Sequence, residues 1–159
     1  MESTKKTIIV FSGDFDKVMA AFIIANGAAA MDDEVVMFFT FWGLNAIRKD
    51  SPVAAPDKTF VQKMFGAMMP RGPKKLAMSK MNFAGMGPKL MQREMKAQNV
   101  MSLPELIETA REQGVKFIAC TMSMDVMGLT KEELLDDIEY AGVASYLGEA
   151  DESNVNLFI

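Results

Sequence analysis

The stretch KFIACTMSMD, residues 116–125, decides the fold because it combines the features of a buried strand with those of a helix start. The run 115–119 is short, apolar and rich in β-forming residues, as is typical of a parallel strand buried on both faces. The single cysteine of the chain, Cys120, follows directly. The sequence therefore predicts a thiol at a strand-to-helix junction.

A thiol at such a junction faces the unpaired backbone N–H groups of the first helical turn, here those of Thr121 and Met122. These groups and the positive end of the helix favour the thiolate form of a cysteine. Cys120 is therefore the candidate catalytic residue, with the two amides as a candidate anion site. The alternative is a cysteine that only packs in the core, because free cysteine is among the most commonly buried residues.

Several site classes are excluded by composition, since the chain has no histidine and one cysteine. Ser-His-Asp and Cys-His catalysis, histidine metal sites, Cys-x-x-Cys patterns and an internal disulfide are all ruled out. The sequence contains neither a Gly-x-Gly-x-x-Gly nor a Walker A motif, so no nucleotide site is supported. We expect no cofactor, no metal, no nucleic-acid partner, no signal peptide, and a reducing, cytoplasmic setting.

The alternation of strand and helix predicts one α/β domain over residues 1–159. A strand at 7–11, a helix at 15–30 and a strand at 34–39 form a βαβ unit. Further strands are predicted at 115–119, 138–141 and 155–159. We expect a flavodoxin-like, open, parallel five-stranded sheet with helices on both faces and the strand order 2-1-3-4-5.

In that order the switch point lies between strands one and three, and ligands bind outside the carboxyl ends of these strands. Gly13 and Asp14 lie at one lip of the expected crevice, and Cys120 lies at the other. Asp14 is a predicted helix cap. Lys17 is a candidate to stabilise a thiolate, with an ordinary exposed lysine as the alternative. The predicted supporting residues are Thr121, Met122, Gly13, Asp14, Lys17, Thr40 and Trp42.

A Met- and Lys-rich helical insertion is predicted over residues 58–101, with helices at 60–68, 74–81 and 90–98. Residues 58–104 include nine Lys or Arg and one acid, which gives a net charge of +8, and the rest of the chain has a net charge of −12. So long an insertion is typical of a flap, a lid or an oligomer contact. Its charge suits an acidic partner or a peripheral contact with an anionic membrane, and its methionines suit a variable partner. A solvated basic face and methionines that fill the core are the alternatives.

Three motifs resemble the DsrE/DsrF-like sulfur-relay family, and most closely its peroxiredoxin-like branch. They are SGDFDK at 12–17, FFTFWGL at 38–44 and ACTMSMDVMG at 119–128, and the likeness extends through the insertion to NLFI at 156–159. The resemblance implies an α/β fold, assembly into homo-oligomers (trimers or hexamers), and a cysteine that carries sulfane sulfur as a persulfide. Only Cys120 matches a functional position of the family.

Three functions remain open at this point. The first is a sulfurtransferase or sulfur carrier that holds a persulfide on Cys120, takes sulfur from a donor and passes it to an acceptor protein. With no second cysteine, such a relay is intermolecular. The second is a thiol peroxidase, although the Thr-x-x-Cys and arginine arrangement of peroxiredoxins is missing around Cys120. The third is a non-catalytic binding or scaffold module that docks through the basic insertion.

Overall fold

The structure is a computed structural model that describes residues 4–53 and 57–159. The strands are β1 (Lys5–Val10), β2 (Glu34–Phe39), β3 (Lys116–Cys120), β4 (Glu139–Ala141) and β5 (Val155–Phe158). The α-helices are α1 (Phe15–Ala30), α2 (Phe60–Met68), α3 (Met86–Ala97), α4 (Leu103–Glu112), α5 (Thr121–Met127) and α6 (Val143–Asp151). All four strand pairs are parallel, which confirms the predicted class of sheet.

The strand order is β4-β3-β2-β1-β5, so the predicted order 2-1-3-4-5 is wrong. The predicted order puts β2 at an edge. In the structure, five consecutive residues of β2 are buried, and this strand lies between β1 and β3. The C-terminal strand β5 takes the other side of β1 and forms one edge of the sheet. The consequence is that β2 separates β1 from β3, and the two expected lips are not on neighbouring strands.

Helices cover both faces of the sheet, as predicted. The larger core joins residues of α1, α4 and α5 to one face, and Phe22 of α1 contacts the rings of Phe39 and Phe117. The smaller core lies on the opposite face, where α6 contributes Tyr146. This division places alternate residues of β3 in different cores. Ala119 faces the larger one, and Cys120 faces the smaller one.

The start of α1 differs from the prediction in how its amides are satisfied. Asp14 is the N-cap, but its side chain makes no capping hydrogen bond. The N–H of Phe15 instead donates to the carbonyl of Ala77, at 2.7 Å. Asp16 accepts from the N–H of Ser79, at 2.9 Å, and from its hydroxyl, at 2.5 Å. The insertion thus supplies contacts at the start of this helix.

These contacts also explain why residues 74–81 are not helical, contrary to the prediction. A single 3-10 turn at Pro73–Lys75 is followed by non-helical backbone, whose polar groups bond to α1. The helix predicted at 60–68 is confirmed as α2, with a capping box between Thr59 and Gln62. The helix predicted at 90–98 begins earlier, at Met86. In the described parts of the chain no helix is long and apolar enough to cross a membrane.

Candidate functional site

Cys120 is the last residue of β3 and the N-cap of α5. Its backbone pairs with Ala141 of β4, so the residue lies at the carboxyl edge of the sheet. Its side chain makes no capping hydrogen bond to the first turn of α5. The residue is 3% exposed. The strand-to-helix junction is therefore present, and the thiol at this junction is buried.

The thiol packs on the face of the sheet that α6 covers. Cys120 belongs to one buried cluster with Val36, Phe38, Ile118 and Tyr146. The rings of Phe38 and Tyr146 lie 5.1 Å apart between centroids, and Tyr146 is the buried member from α6. No residue of the described insertion belongs to this cluster. Thus the buried cluster that contains the thiol includes a residue of α6 and none of the described insertion.

Two lysines of the sheet hold α6 in place through Glu149. The Lys116 Nζ of β3 donates to the Glu149 carboxylate at 2.5 Å, and Lys5 of β1 ion-pairs with the same carboxylate. The hydrogen bonds from Lys116 and then Lys5 lower the pKa of Glu149 below its ordinary 4.5. The same contact raises the pKa of Lys116 above its ordinary 10.5. Both shifts follow from this ion pair, which keeps the two groups charged and fastens α6 to β3.

The residues next to Cys120 form a junction between β2 and α5. The hydroxyl of Thr40, just after β2, lies 2.8 Å from that of Ser123 in the first turn of α5. Ser123 is fully buried, and Thr121 is half-buried. Met122 is 59% exposed, and it is the most solvent-exposed of the predicted residues at this junction. The structure therefore groups Thr40, Thr121 and Met122 with Cys120.

The other predicted residues line a separate cavity of about 370 Å³ above the carboxyl end of β1. Asp14 and Lys17 form an ion pair there, at 3.4 Å. Cys120 is absent from the lining, so the structure does not place Lys17 and the thiol around one cavity. The predicted residues that share this cavity are Gly13, Asp14, Lys17 and Trp42.

A buried amide in the same cavity has no counterpart in the sequence predictions. Asn45 lines the cavity, is 2% exposed, and its Oδ1 has no hydrogen-bond partner among the described residues. It lies in the 3-10 turn Phe41–Ile47, which packs tightly on β1. A Cβ on Gly43 would lie 1.9 Å from the carbonyl oxygen of Val10. No local signal distinguishes this asparagine from a surface one.

Two buried charged residues that the sequence does not indicate, Arg48 and Glu133, bind the insertion to the body of the protein. The Arg48 guanidinium donates to the carbonyls of Gly66, Met69 and Pro70 at 3.2–3.3 Å, and burial lowers the pKa of Arg48. Glu133 accepts from Lys58 at 2.7 Å. Burial raises the pKa of Glu133, but hydrogen bonds from Lys58 and the Thr130 N–H outweigh it and lower the pKa below 4.5.

The surface of the insertion is both apolar and basic. Six of its nine methionines are exposed, which disfavours the interpretation of these residues as core filler. Phe60 is 82% exposed and Met68 is 76% exposed on α2. Of its nine cations, Lys58 alone has an ion pair among the described residues. The exposed methionines are Met64, Met68, Met81, Met86, Met91 and Met101.

The chain is similar to known proteins over its full length. A model of the DsrE/DsrF/DrsH-like family matches residues 2–158. The uncharacterized protein YrkE of Bacillus subtilis (strain 168) is 63% identical over 159 residues, covering 99% of each chain. The sulfur carrier protein DsrE2 of Allochromatium vinosum is 36% identical over 168 residues, covering 100% of each chain.

Two solved structures share the fold at low sequence identity. The E. coli protein YchN has a TM-score of 0.55 at 10% identity, and the match covers 98% of this chain and 99% of YchN. The Methanobacterium thermoautotrophicum protein MTH1491 has a TM-score of 0.59 at 13% identity, with coverage of 99% and 100%. With the family match across residues 2–158, these findings show that the chain belongs to the DsrE/DsrF/DrsH-like family.

Proposed function

We propose that this protein is a sulfur carrier that holds a persulfide on Cys120 and transfers the outer sulfur to an acceptor thiol. The observation that carries the proposal is the position of the single cysteine, at the carboxyl edge of a parallel sheet and at the start of α5. Ligands of open α/β sheets bind at this edge. The 36% identity to a protein named a sulfur carrier supports the same chemistry.

The proposed transfer consists of two displacements at sulfur. The Cys120 thiolate attacks the outer sulfur of a donor persulfide, a new S–S bond forms on Cys120, and the donor leaves as a thiolate. An acceptor thiolate then attacks the outer sulfur and releases the Cys120 thiolate. Two electron pairs move in each step, with no net oxidation, so no cofactor is needed. The donor and acceptor are separate molecules because the chain has one cysteine.

Burial of Cys120 gives this proposal a conformational requirement. The donor sulfur must approach a residue that is 3% exposed, in a buried cluster to which α6 contributes Tyr146. We infer that the N-terminal part of α6 moves to admit the partner. Val143 and Leu147 on this part of the helix are exposed, whereas Glu149 near its other end is ion-paired to Lys116.

Mass spectrometry after incubation with thiosulfate or inorganic polysulfide tests the carrier proposal. We expect the native protein to gain the mass of one or more sulfur atoms on the Cys120 peptide, and to lose the label when glutathione is added. The Cys120→Ser variant is the matched control and is expected to gain none. Sulfur uptake by the denatured protein alone would instead support the scaffold interpretation. Rapid peroxide consumption that vanishes in Cys120→Ser would support a peroxidase.

We further propose that the protein works in a reducing compartment such as the cytoplasm, and that it forms a homo-oligomer, a trimer or a hexamer. The support for the oligomer is the exposed apolar surface on the side of the sheet where α6 packs. Phe158 on the edge strand β5 is 67% exposed, and its ring stacks on Phe11 with centroids 5.5 Å apart. Native mass spectrometry tests this proposal. We expect Phe158→Ser to shift the protein toward the monomer, and a monomeric parent protein would contradict it.

A further inference from the structure

A large cavity lies between α3 of the insertion and the start of α4, apart from the cysteine and its proposed chemistry. Its volume is about 950 Å³, in the range of small-molecule sites in proteins. Its lining includes Lys74, Arg93 and Lys96, and it includes Phe15 and Leu103. Cys120 does not line it. The cavity therefore needs an explanation of its own.

The cations of this cavity have no ion-pair partners in the part of the chain that the structure describes. No ion pair or side-chain hydrogen bond among the described residues involves Lys74, Arg93 or Lys96. The one acid in the lining, Glu105, accepts from the N–H of Ser102 at 2.9 Å in the capping box of α4. The acid is thus used within the helix start, and the three cations are available to an anion.

The remaining lining is mostly apolar. Phe15 and Leu103 are buried, and each contributes to the core. Val100 and Met101, on the link between α3 and α4, remain exposed on the wall. Met95 is the residue of α3 that packs on the core beside this space. A ligand with an apolar body would cover the exposed part of this surface, and each Å² of apolar area removed from water contributes about 25 cal/mol.

We propose that this cavity binds a single-chain anionic amphiphile, a molecule with one negatively charged head group and an apolar body. The head group pairs with Lys74, Arg93 and Lys96, and the body lies against Met95, Met101 and the buried floor. Carboxylate and phosphate head groups share the chemistry that these cations recognise. The site is separate from Cys120, so it does not depend on the sulfur-carrier proposal.

Isothermal titration calorimetry with dodecanoate, below its critical micelle concentration, tests the site on the full chain. We expect saturable binding with one molecule per chain. The variant K74Q/R93Q/K96Q is expected to bind at least about tenfold more weakly, because it loses the charges that face the head group. The matched control K63Q/K80Q/K89Q removes the same charge from the insertion outside this lining, and we expect it to bind like the parent. Equal weakening in both variants would overturn the proposal.

Three further measurements define the ligand and its place. Dodecyl phosphate is expected to bind and dodecyltrimethylammonium is not, and equal binding of the cationic amphiphile would contradict the role of the charges. A photoreactive dodecanoate is expected to label peptides that contain Phe15 or Met101, whereas labelling of α2 alone would place the ligand elsewhere. Sedimentation with anionic phospholipid vesicles separates a membrane surface from a free amphiphile. Binding to vesicles with none to free dodecanoate would overturn the cavity proposal.

Discussion

Lys116 and Glu149 form a hydrogen-bonded ion pair, at 2.5 Å, that fastens α6 to the strand ending in Cys120. This pair therefore contributes to the burial of the thiol. In Glu149→Gln we expect α6 to open more often, and a loss of about 1 kcal/mol in local stability corresponds to about a fivefold rise in the opened fraction. The rate of Cys120 alkylation by iodoacetamide measures that rise.

The matched control for this prediction lies three residues further along the chain. Glu152 also pairs with Lys5, at 3.4 Å, but its side chain is largely exposed. Exposed ion pairs contribute little, so Glu152→Gln is expected to leave the alkylation rate unchanged. If both variants react like the parent, then Glu149 does not control access to the thiol.

The same ion pair predicts a pH dependence. The pKa of Glu149 is lowered in the folded protein, so its stabilisation is fully present above 4.5 and is lost as pH falls through the lower folded value. The pKa of Lys116 is raised, so its contribution persists below 10.5 and is lost above the higher folded value. The parent is expected to exceed Glu149→Gln in urea midpoint at pH 7, and to lose that advantage as the pH falls through the lowered pKa of Glu149. A difference that stays unchanged throughout an acid titration of both proteins would contradict this assignment.

At Tyr146, the effect of the packed ring can be separated from the effect of the hydrogen bond that the hydroxyl makes. The Tyr146 hydroxyl lies 3.1 Å from Oγ1 of Thr7, and the ring packs on Phe38. Tyr146→Phe keeps the ring and is expected to lose about 1 kcal/mol of unfolding free energy, with little change in alkylation rate. Tyr146→Ala removes the ring and is expected to raise that rate by about tenfold or more. Similar rates in both variants would show that the ring does not shield the thiol.

Two glycines, one in the tightly packed turn after β2 and one on α1, are expected to respond in opposite ways to substitution by alanine. A Cβ at position 43 would lie 1.9 Å from the Val10 carbonyl oxygen, so Gly43→Ala is expected to cost about 3 kcal/mol or more. Gly27 lies within α1 with nothing within 4 Å of an added Cβ, so Gly27→Ala is expected to stabilise by about 0.5–1 kcal/mol. Urea unfolding measures both. A mild effect of Gly43→Ala would show that the turn can move away from β1.

The elements that the sequence predicts well are those fixed by neighbouring residues. Ser102 and Glu105 form the pattern Ser-x-x-Glu, which by itself favours a capping box, and the structure has this box at the start of α4. The junction at Cys120 is also local, since it depends on an apolar run followed by residues that can form a helix.

The features that the sequence does not predict depend on long-range contacts. The order of strands depends on whether the second edge of β1 pairs with β3 or with β5, and the observed pairing with β5 joins residues about 150 positions apart in the chain. The cover over Cys120 and the division of the predicted residues between two places follow from that order. Asn45 and Arg48 are buried by distant segments, so nothing in their immediate neighbours indicates burial.

Arg48 makes the attachment of the insertion testable. Its guanidinium is buried and donates to three carbonyls at the end of α2, so Arg48→Met leaves these acceptors unpaired. We expect a loss of about 3 kcal/mol in unfolding free energy and earlier proteolytic cleavage within the insertion. Lys49→Gln is the control, because the Asp136 carboxylate with which Lys49 pairs is largely exposed, and such an ion pair is worth less than about 1 kcal/mol. Cleavage of Arg48→Met at the parent rate would show that Lys58 and Glu133 hold the insertion without it.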